Sequence, residues 1–389
     1  MYILFKFEWK RFWKDNKNYF LILVIIAILF TFTFFLKALD KRYQRKYITK
    51  LNFEKSNVED YLTNINIQID IYEDILEANE DVDIKNILDK LYIEKEFFVN
   101  WYSVLMELYP NKNNVVKRLP HEIKRNELLL QGESKNIIGL EIIGIVNNDL
   151  ESLRQETAMK KHILDKGIKP LSSPYELNLQ NFYFILLSYP FSLIWVLTIF
   201  ISCLDIVAED FTCGSYKTLY AGKYERNKIY FSKLIIGVLN SIIVWLVSLG
   251  VCSIYIIFKE SIGDFNYPVY FTTKGIIPYK NALLMQLISI FLFWLLAVSM
   301  VQLLSIIVKD GLNTILLLFT ILIFDFSLRE LLPISNKFWN FYLLNILEGN
   351  VFISNIESNA LWLFSIVIQI VWLLILNIYG LKRIRYEDL

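Results

Sequence analysis

The 389-residue chain is short of the side chains that carry most soluble chemistry. It has two histidines, three cysteines, eight prolines and only 20% charged residues, with a formal net charge of +1. A balance so close to zero gives no global basic field for nucleic acid. Cys203, Cys213 and Cys252 lie in or beside apolar runs, with no CxxC or other metal spacing, and read as buried or idle thiols. His121 and His162 stand alone and have no ligand spacing, so no metal site is expected. There is no GxxxxGK[ST] phosphate loop, no HExxH and no GxSxG. ATP binding by such a loop, zinc proteolysis and esterase-type acyl transfer are therefore not expected of this chain. No catalytic residue is nominated.

What the chain has instead is apolar length. Hydrophobic residues make up 55% and aromatic residues 16%, and mean hydropathy is +0.40. A helix needs about 20 apolar residues to cross a bilayer. Six stretches qualify, near 18–37, 182–206, 233–257, 282–308, 312–332 and 360–381. The expected fold is an all-α integral membrane protein with six transmembrane helices. Pro190 falls inside the second stretch and is expected to kink it. The basic segment before the first run is followed by Lys37, Lys41 and Arg42 rather than a small-residue cleavage site, so that run is read as a retained span.

Lys and Arg in the short loops set the orientation. With the N-terminus inside, the inner flanks hold Lys6, Lys10, Arg11, Lys14, Lys17, Lys217, Lys223, Arg226, Lys228, Lys233, Lys309, Lys382, Arg383 and Arg385. The short outer loops hold only Lys259, Lys274, Lys280, Arg329 and Lys337. A multi-pass cell-membrane protein with both termini cytoplasmic is expected, with a tail at 382–389. In segment 1–17, Tyr2, Phe5, Trp9, Phe12 and Trp13 share one helical face, and Lys6, Lys10, Arg11 and Lys14 the other. That suits a helix lying in the inner membrane interface.

Residues 38–181 interrupt the apolar pattern and are expected to form a mostly helical extracellular domain between the first two spans. Val58, Leu62, Ile65, Ile69, Tyr72 and Leu76 repeat at spacings of four and three, a coiled-coil seam. A second helix is expected near 83–109, with Ile87, Leu91, Phe98, Trp101 and Leu105 in its core. A third is expected near 136–166, with Ile142, Val146, Leu150 and Leu153. Segment 54–96 carries thirteen Asp and Glu against four Lys. It reads as a solvated helix face or as an electrostatic attractor for a cationic partner.

Ionisable groups inside spans are costly and therefore suggestive. Asp205 falls near the inner end of the second span. Asp325 falls in the fifth, one helical turn before Arg329, and the two are placed to neutralise each other at i,i+4 or to line a substrate path. Segment 328–358 is aromatic-rich and too interrupted to cross, which fits a re-entrant stretch at the outer surface.

Between the second and third spans lies a polar island, 209–233, expected as a cytoplasmic loop. Gly214 permits a turn, and Tyr216, Leu219 and Tyr220 share a face of a short helix. Arg226, Lys228 and Lys233 are expected to hold the start of the third span at headgroup level. This island resembles the coupling loop of type-2 ATP-binding-cassette (ABC) permeases in its order of residues. An acidic residue (Glu209) precedes Gly214, a hydrophobic coupling helix (Lys217–Tyr220), a break at Ala221–Gly222, Arg226, and Lys233 opening the next span. Where that family often has a proline at the break, this chain has Ala221–Gly222. The large insert between the first two spans is similar to that of bacterial members tied to peptide export, antimicrobial-peptide immunity or sodium extrusion.

The resemblance implies a transmembrane permease subunit that works as a homodimer or heterodimer with separate ATPase subunits. The chain itself would hold no cofactor, and ATP and Mg would sit on the partner subunit. Glu209, Gly214, Tyr216, Lys217, Leu219, Tyr220 and Arg226 would meet the ATPase, and the second and fifth spans would face the dimer axis, bringing Pro190 and Asp325 near the substrate path. Export of an antimicrobial or other amphipathic peptide is the first expectation. Sodium extrusion, or a receptor or scaffold that transports nothing, are the alternatives.

Overall fold

The computed structural model describes residues 2–14, 16–78, 82–135, 137, 139–142, 150–187, 192–217, 225–271, 275–331 and 359–386. The chain is mostly helical, as its apolar runs require. Four helices among the described residues are long and apolar enough to cross a membrane. They are α2 (Asn16–Ala78), α9 (Arg226–Lys259), α10 (Tyr279–Val308) and α12 (Asn359–Tyr386), the last through its segment Ile366–Arg385. The 312–332 run forms α11 (Gly311–Leu331), of which Gly311–Ile321 counts as a shorter apolar helix.

Three features add detail to the apolar pattern. The first apolar run is part of a longer helix: α2, 63 residues in all, runs on without interruption to Ala78. Nothing between Lys37 and Ala78 breaks a helix: there is no proline and no glycine. The 182–206 stretch is not described as one helix. It falls on α7 (Leu179–Leu186) and α8 (Ser192–Thr212), and Pro190 lies outside the described residues. Beside the helices there is a short ribbon, in which Pro268–Phe271 (β1) pairs with Gly275–Pro278 (β2).

The chain divides into two compact units. The first comprises Met1–Phe35, Leu177–Gly263 and Phe271–Leu389. In it α10 is central, packing along both α8 and α12, while α8 also packs on α9 and α11. Close approach needs small residues where α9 meets its neighbours. A side chain at Gly237 would meet Val298 Cγ1 at 2.8 Å and Ile206 Cδ1 at 3.5 Å. Polar side chains fasten the apolar contacts. Trp245 donates to Thr198 Oγ1 at 2.8 Å, Trp294 to Ser241 Oγ at 2.6 Å, and Tyr230 to Asn377 Oδ1 at 3.0 Å. Within a bilayer such groups have no water to turn to, so bonds between helices act as glue.

The second unit comprises Leu36–Glu176 and Asp264–Tyr270. Its core joins Val58, Ile65 and Ile69 of α2 to Phe97, Phe98, Trp101, Leu105 and Leu108 of α3 (Val82–Leu108). Phe98 and Trp101 stack at 6.1 Å, and Tyr61 closes on Phe98 at 4.6 Å. The seam read from the sequence is therefore the core face of α2. Ile87, expected in the core, is exposed, and its neighbour Leu88 is buried in its place; Leu150 is exposed at the first position of α6. Ile142 and Val146 have no described side chains. A helix that the apolar pattern did not reveal, α4 (Val115–Ser134), packs between α3 and α6 (Leu150–Asp165). It begins at Asn114, whose side chain caps the Lys117 amide.

Two groups of buried charges tie α4 to its neighbours. Arg125 grips Glu54 of α2 through two bonds of 2.6 Å, and Trp101 donates to the same carboxylate at 3.1 Å. Glu122 meets Arg118 Nε at 3.1 Å and Lys160 at 2.8 Å, and accepts from Tyr47 at 2.7 Å. The second unit contains no cysteine, so packing and these charges hold it.

Candidate functional site: a buried ion cluster beneath the 209–233 loop

α1 (Tyr2–Lys14) is amphipathic, with Phe5 and Trp9 stacked at 5.9 Å and Trp9 and Trp13 at 6.1 Å. Phe12 is buried, while Phe5, Trp9 and Trp13 are half-buried; the Tyr2 side chain lies outside the described residues. Lys6, Lys10 and Lys14 are exposed, and the helix is fastened along the side that carries Glu8, Arg11 and Phe12. α1 packs on α9, and two of its polar residues, Glu8 and Arg11, turn into the protein. Asn18, buried at the start of α2, donates to Phe12 O at 2.6 Å and fixes the turn between the two helices.

Glu209 and Asp210 are not loop residues, because α8 continues through them to Thr212. Their carboxylates project from its last turn toward the cations of two other helices. Arg11 spans both, with bonds of 2.7 Å to Asp210 Oδ1 and 2.9 Å to Glu209 Oε2. Lys233, expected at headgroup level, is instead buried in the second turn of α9. Its ammonium donates to Ile206 O at 2.6 Å and to Asp210 Oδ2, and lies 3.3 Å from Glu8 Oε1. An ammonium has three donors, and here each has an acceptor. Ser215 donates to Asp210 Oδ1 at 3.1 Å, bringing the start of the loop into the same cluster.

Three carboxylates and two cations thus meet from α1, α8 and α9. Burial pushes the Asp210 carboxyl upward, but the Lys233 ammonium and the Arg11 guanidinium outweigh it and hold the group below its usual value. For Arg11 burial works against the charged form, and Asp210 then Glu209 and Glu8 reverse it, leaving the guanidinium more firmly protonated than usual. Beside the cluster opens a cleft of about 300 Å³ lined by Glu8, Arg11, Phe12, Asn18, Ile206 and Glu209, among others.

Past Thr212 the chain turns at Gly214, whose φ of +71° lies in the left-handed region that favours glycine. Tyr216 then packs on Phe211 at 5.0 Å, with the Lys217 ammonium 6.0 Å from the Tyr216 ring. Leu219 and Tyr220 lie outside the described residues. Arg226 opens α9 and does a different job from Lys233. It donates to Ile384 O at 2.9 Å and Arg385 O at 3.0 Å, closing the last turn of α12, while Arg385 answers with a 3.0 Å bond to Asn227. Of the residues nominated for a substrate path, Asp325 and Arg329 are on α11 but their side chains, like that of Asp205, lie outside the described residues; so does Pro190.

Sequence reasoning named Glu209 and Arg226 as site residues, saw Asp210 beside Glu209 without giving it a role, and missed Glu8 and the burial of Lys233. One signal was available. Glu8 is the only carboxylate in α1, among four cations, and a lone opposite charge there has a partner to find.

Among the described residues, no group of three or more His, Cys, Asp or Glu is arranged to hold a metal ion. In comparisons with protein families, curated proteins and solved structures, the chain matches none.

Proposed function

We propose that this chain is the transmembrane permease subunit of an ATP-driven ABC exporter. In this reading it has six spans, both termini in the cytoplasm and residues 38–181 outside. ATP and Mg are bound and the nucleotide hydrolysed on separate ATPase subunits, and a second permease subunit completes the assembly. The substrate is an antimicrobial or other amphipathic peptide.

The observation that carries the reading is the seating of the 209–233 island. Glu209, Gly214, Tyr216 and Arg226 have the order of the coupling loop of type-2 ABC permeases, and the residues on either side of that loop are wired into three helices by the Glu8–Arg11–Asp210–Lys233 cluster. A push on such a loop is delivered to α1, α8 and α9 together. A loop on flexible ends would absorb it. Lys217 and Tyr216 are the described residues closest to the expected contact.

The test is an affinity pull-down of the tagged full chain from mild detergent, with every stoichiometric partner identified. A subunit carrying a phosphate loop supports the proposal. Recovery of this chain alone, in several detergents, overturns it in favour of a receptor or scaffold.

A further inference from the structure

The face of α2 opposite its core carries a second pattern. Ile67, Ile71 and Ile75 are 52%, 51% and 39% exposed, one above another at i, i+4 and i+8. Core packing explains Val58, Ile65 and Ile69 on the other face; it does not explain these three. Three residues after the first two stand Asp70 and Asp74, both exposed, so a row of carboxylates runs alongside the isoleucines. Glu73 and Glu77 continue the negative charge around the helix. From Ser56 to Ile84 the chain has nine Asp and Glu and no Lys, Arg or His.

We infer that this face of α2 docks a cationic amphipathic helix: a peptide whose apolar side lies on Ile67, Ile71 and Ile75 and whose Lys or Arg side chains meet Asp70 and Asp74. Charge selects the occupant. A second copy of this chain, presenting the same face, would bring Asp70 and Asp74 against their own counterparts as the isoleucines met, and like charges so placed cost binding. A neutral apolar partner would leave the carboxylates beside buried surface without counter-charge. Only a partner basic along its flank satisfies both rows. The binding rests on this surface alone, whereas what becomes of the bound peptide rests on the export reading above.

The test uses the full chain in nanodiscs of zwitterionic lipid, with empty discs subtracted. The probe is a synthetic helix of about 18 residues, five turns, built of Leu and Lys at helical spacing, and its counterpart has Glu for Lys. The Leu/Lys helix should bind, the Leu/Glu helix should not, and binding should fade as salt rises to about 0.5 M. Ile67→Ser/Ile71→Ser/Ile75→Ser and, separately, Asp70→Asn/Asp74→Asn should each weaken it about tenfold. All five side chains are exposed, so both variants should keep the helical circular dichroism of the parent. Equal binding by either variant, equal binding of the Leu/Glu helix, or no signal above empty discs overturns the inference. So does loss of self-association in the Ser variant with peptide binding unchanged. If the peptide fails while an ATPase co-purifies, this surface is misread and the export reading stands; the reverse result removes the export reading and leaves the docking face.

Discussion

Asp210 at the end of α8 and Lys233 near the start of α9 form a buried ion pair that closes the base of the 209–233 island. Both side chains are nearly inaccessible, and each has further partners: Arg11 and Ser215 for the carboxylate, Ile206 O and Glu8 for the ammonium.

Removing one partner leaves a charge stranded. Asp210→Ala should destabilise the first unit by about 3–5 kcal/mol, and Lys233→Met by a similar amount. The double variant Asp210→Leu/Lys233→Met should recover a large part of the loss, since apolar replacement of a whole buried pair is often neutral. Thermal unfolding of the three variants in one detergent checks this. Simple addition of the two single losses would mean that the pair is not coupled.

Gly214 separates backbone strain from side-chain crowding. A side chain there would meet nothing within 4 Å, but φ is +71°. Gly214→Ala should cost about 1–2 kcal/mol, and Gly214→Asn distinctly less, because Asn tolerates the left-handed region. Equal cost for both in a stability assay would place the effect elsewhere.

In the second unit the Arg125–Glu54 fork is a matter of geometry as well as charge. Arg125→Lys keeps the charge and loses the parallel pair of bonds, so it should still lower stability, by about 1–3 kcal/mol. Arg125→Met leaves Glu54 buried with only Trp101 and should cost more. Urea titration of the two variants ranks them; Lys equal to wild type would reduce the fork to a point-charge contact.

Glu122 gives that unit an acid limit. Burial raises its carboxyl pKa, but Lys160 and then Arg118 and Tyr47 more than reverse this, and the folded value lies below the ordinary one near 4.5. A depressed carboxyl contributes stability that is complete above the unfolded value and is lost as pH falls through the folded one. Glu122→Gln should therefore melt below wild type at neutral pH, and the gap should narrow below about pH 4.5. A gap independent of pH would mean that the loss is steric.

The helices were legible in the sequence where length and periodicity agreed. Apolar runs of span length marked α9, α10 and α12, and the four-three spacing from Val58 to Leu76 marked the buried face of α2. α4 escaped because its composition is polar, with Pro120 inside it and charged residues, Arg118 and Glu122, at its buried positions. The cluster of the first unit escaped for another reason. Arg11 and Asp210 are 199 residues apart, and no local pattern ties a basic turn in α1 to an acidic one in α8. Lys233 looked like a headgroup anchor because Lys at the end of an apolar run usually is one; converging carboxylates from two other helices draw it inward instead.

The placement of the thiols has a practical use. Cys203 and Cys252 are buried, and Cys213 is exposed immediately before the Gly214 turn. The natural chain therefore already carries a single accessible attachment point for a maleimide fluorophore or spin label at the mouth of the island. The rate at which that thiol reacts, and the spectrum of the probe it then bears, would follow this turn in the unmodified sequence, with no cysteine to introduce or remove.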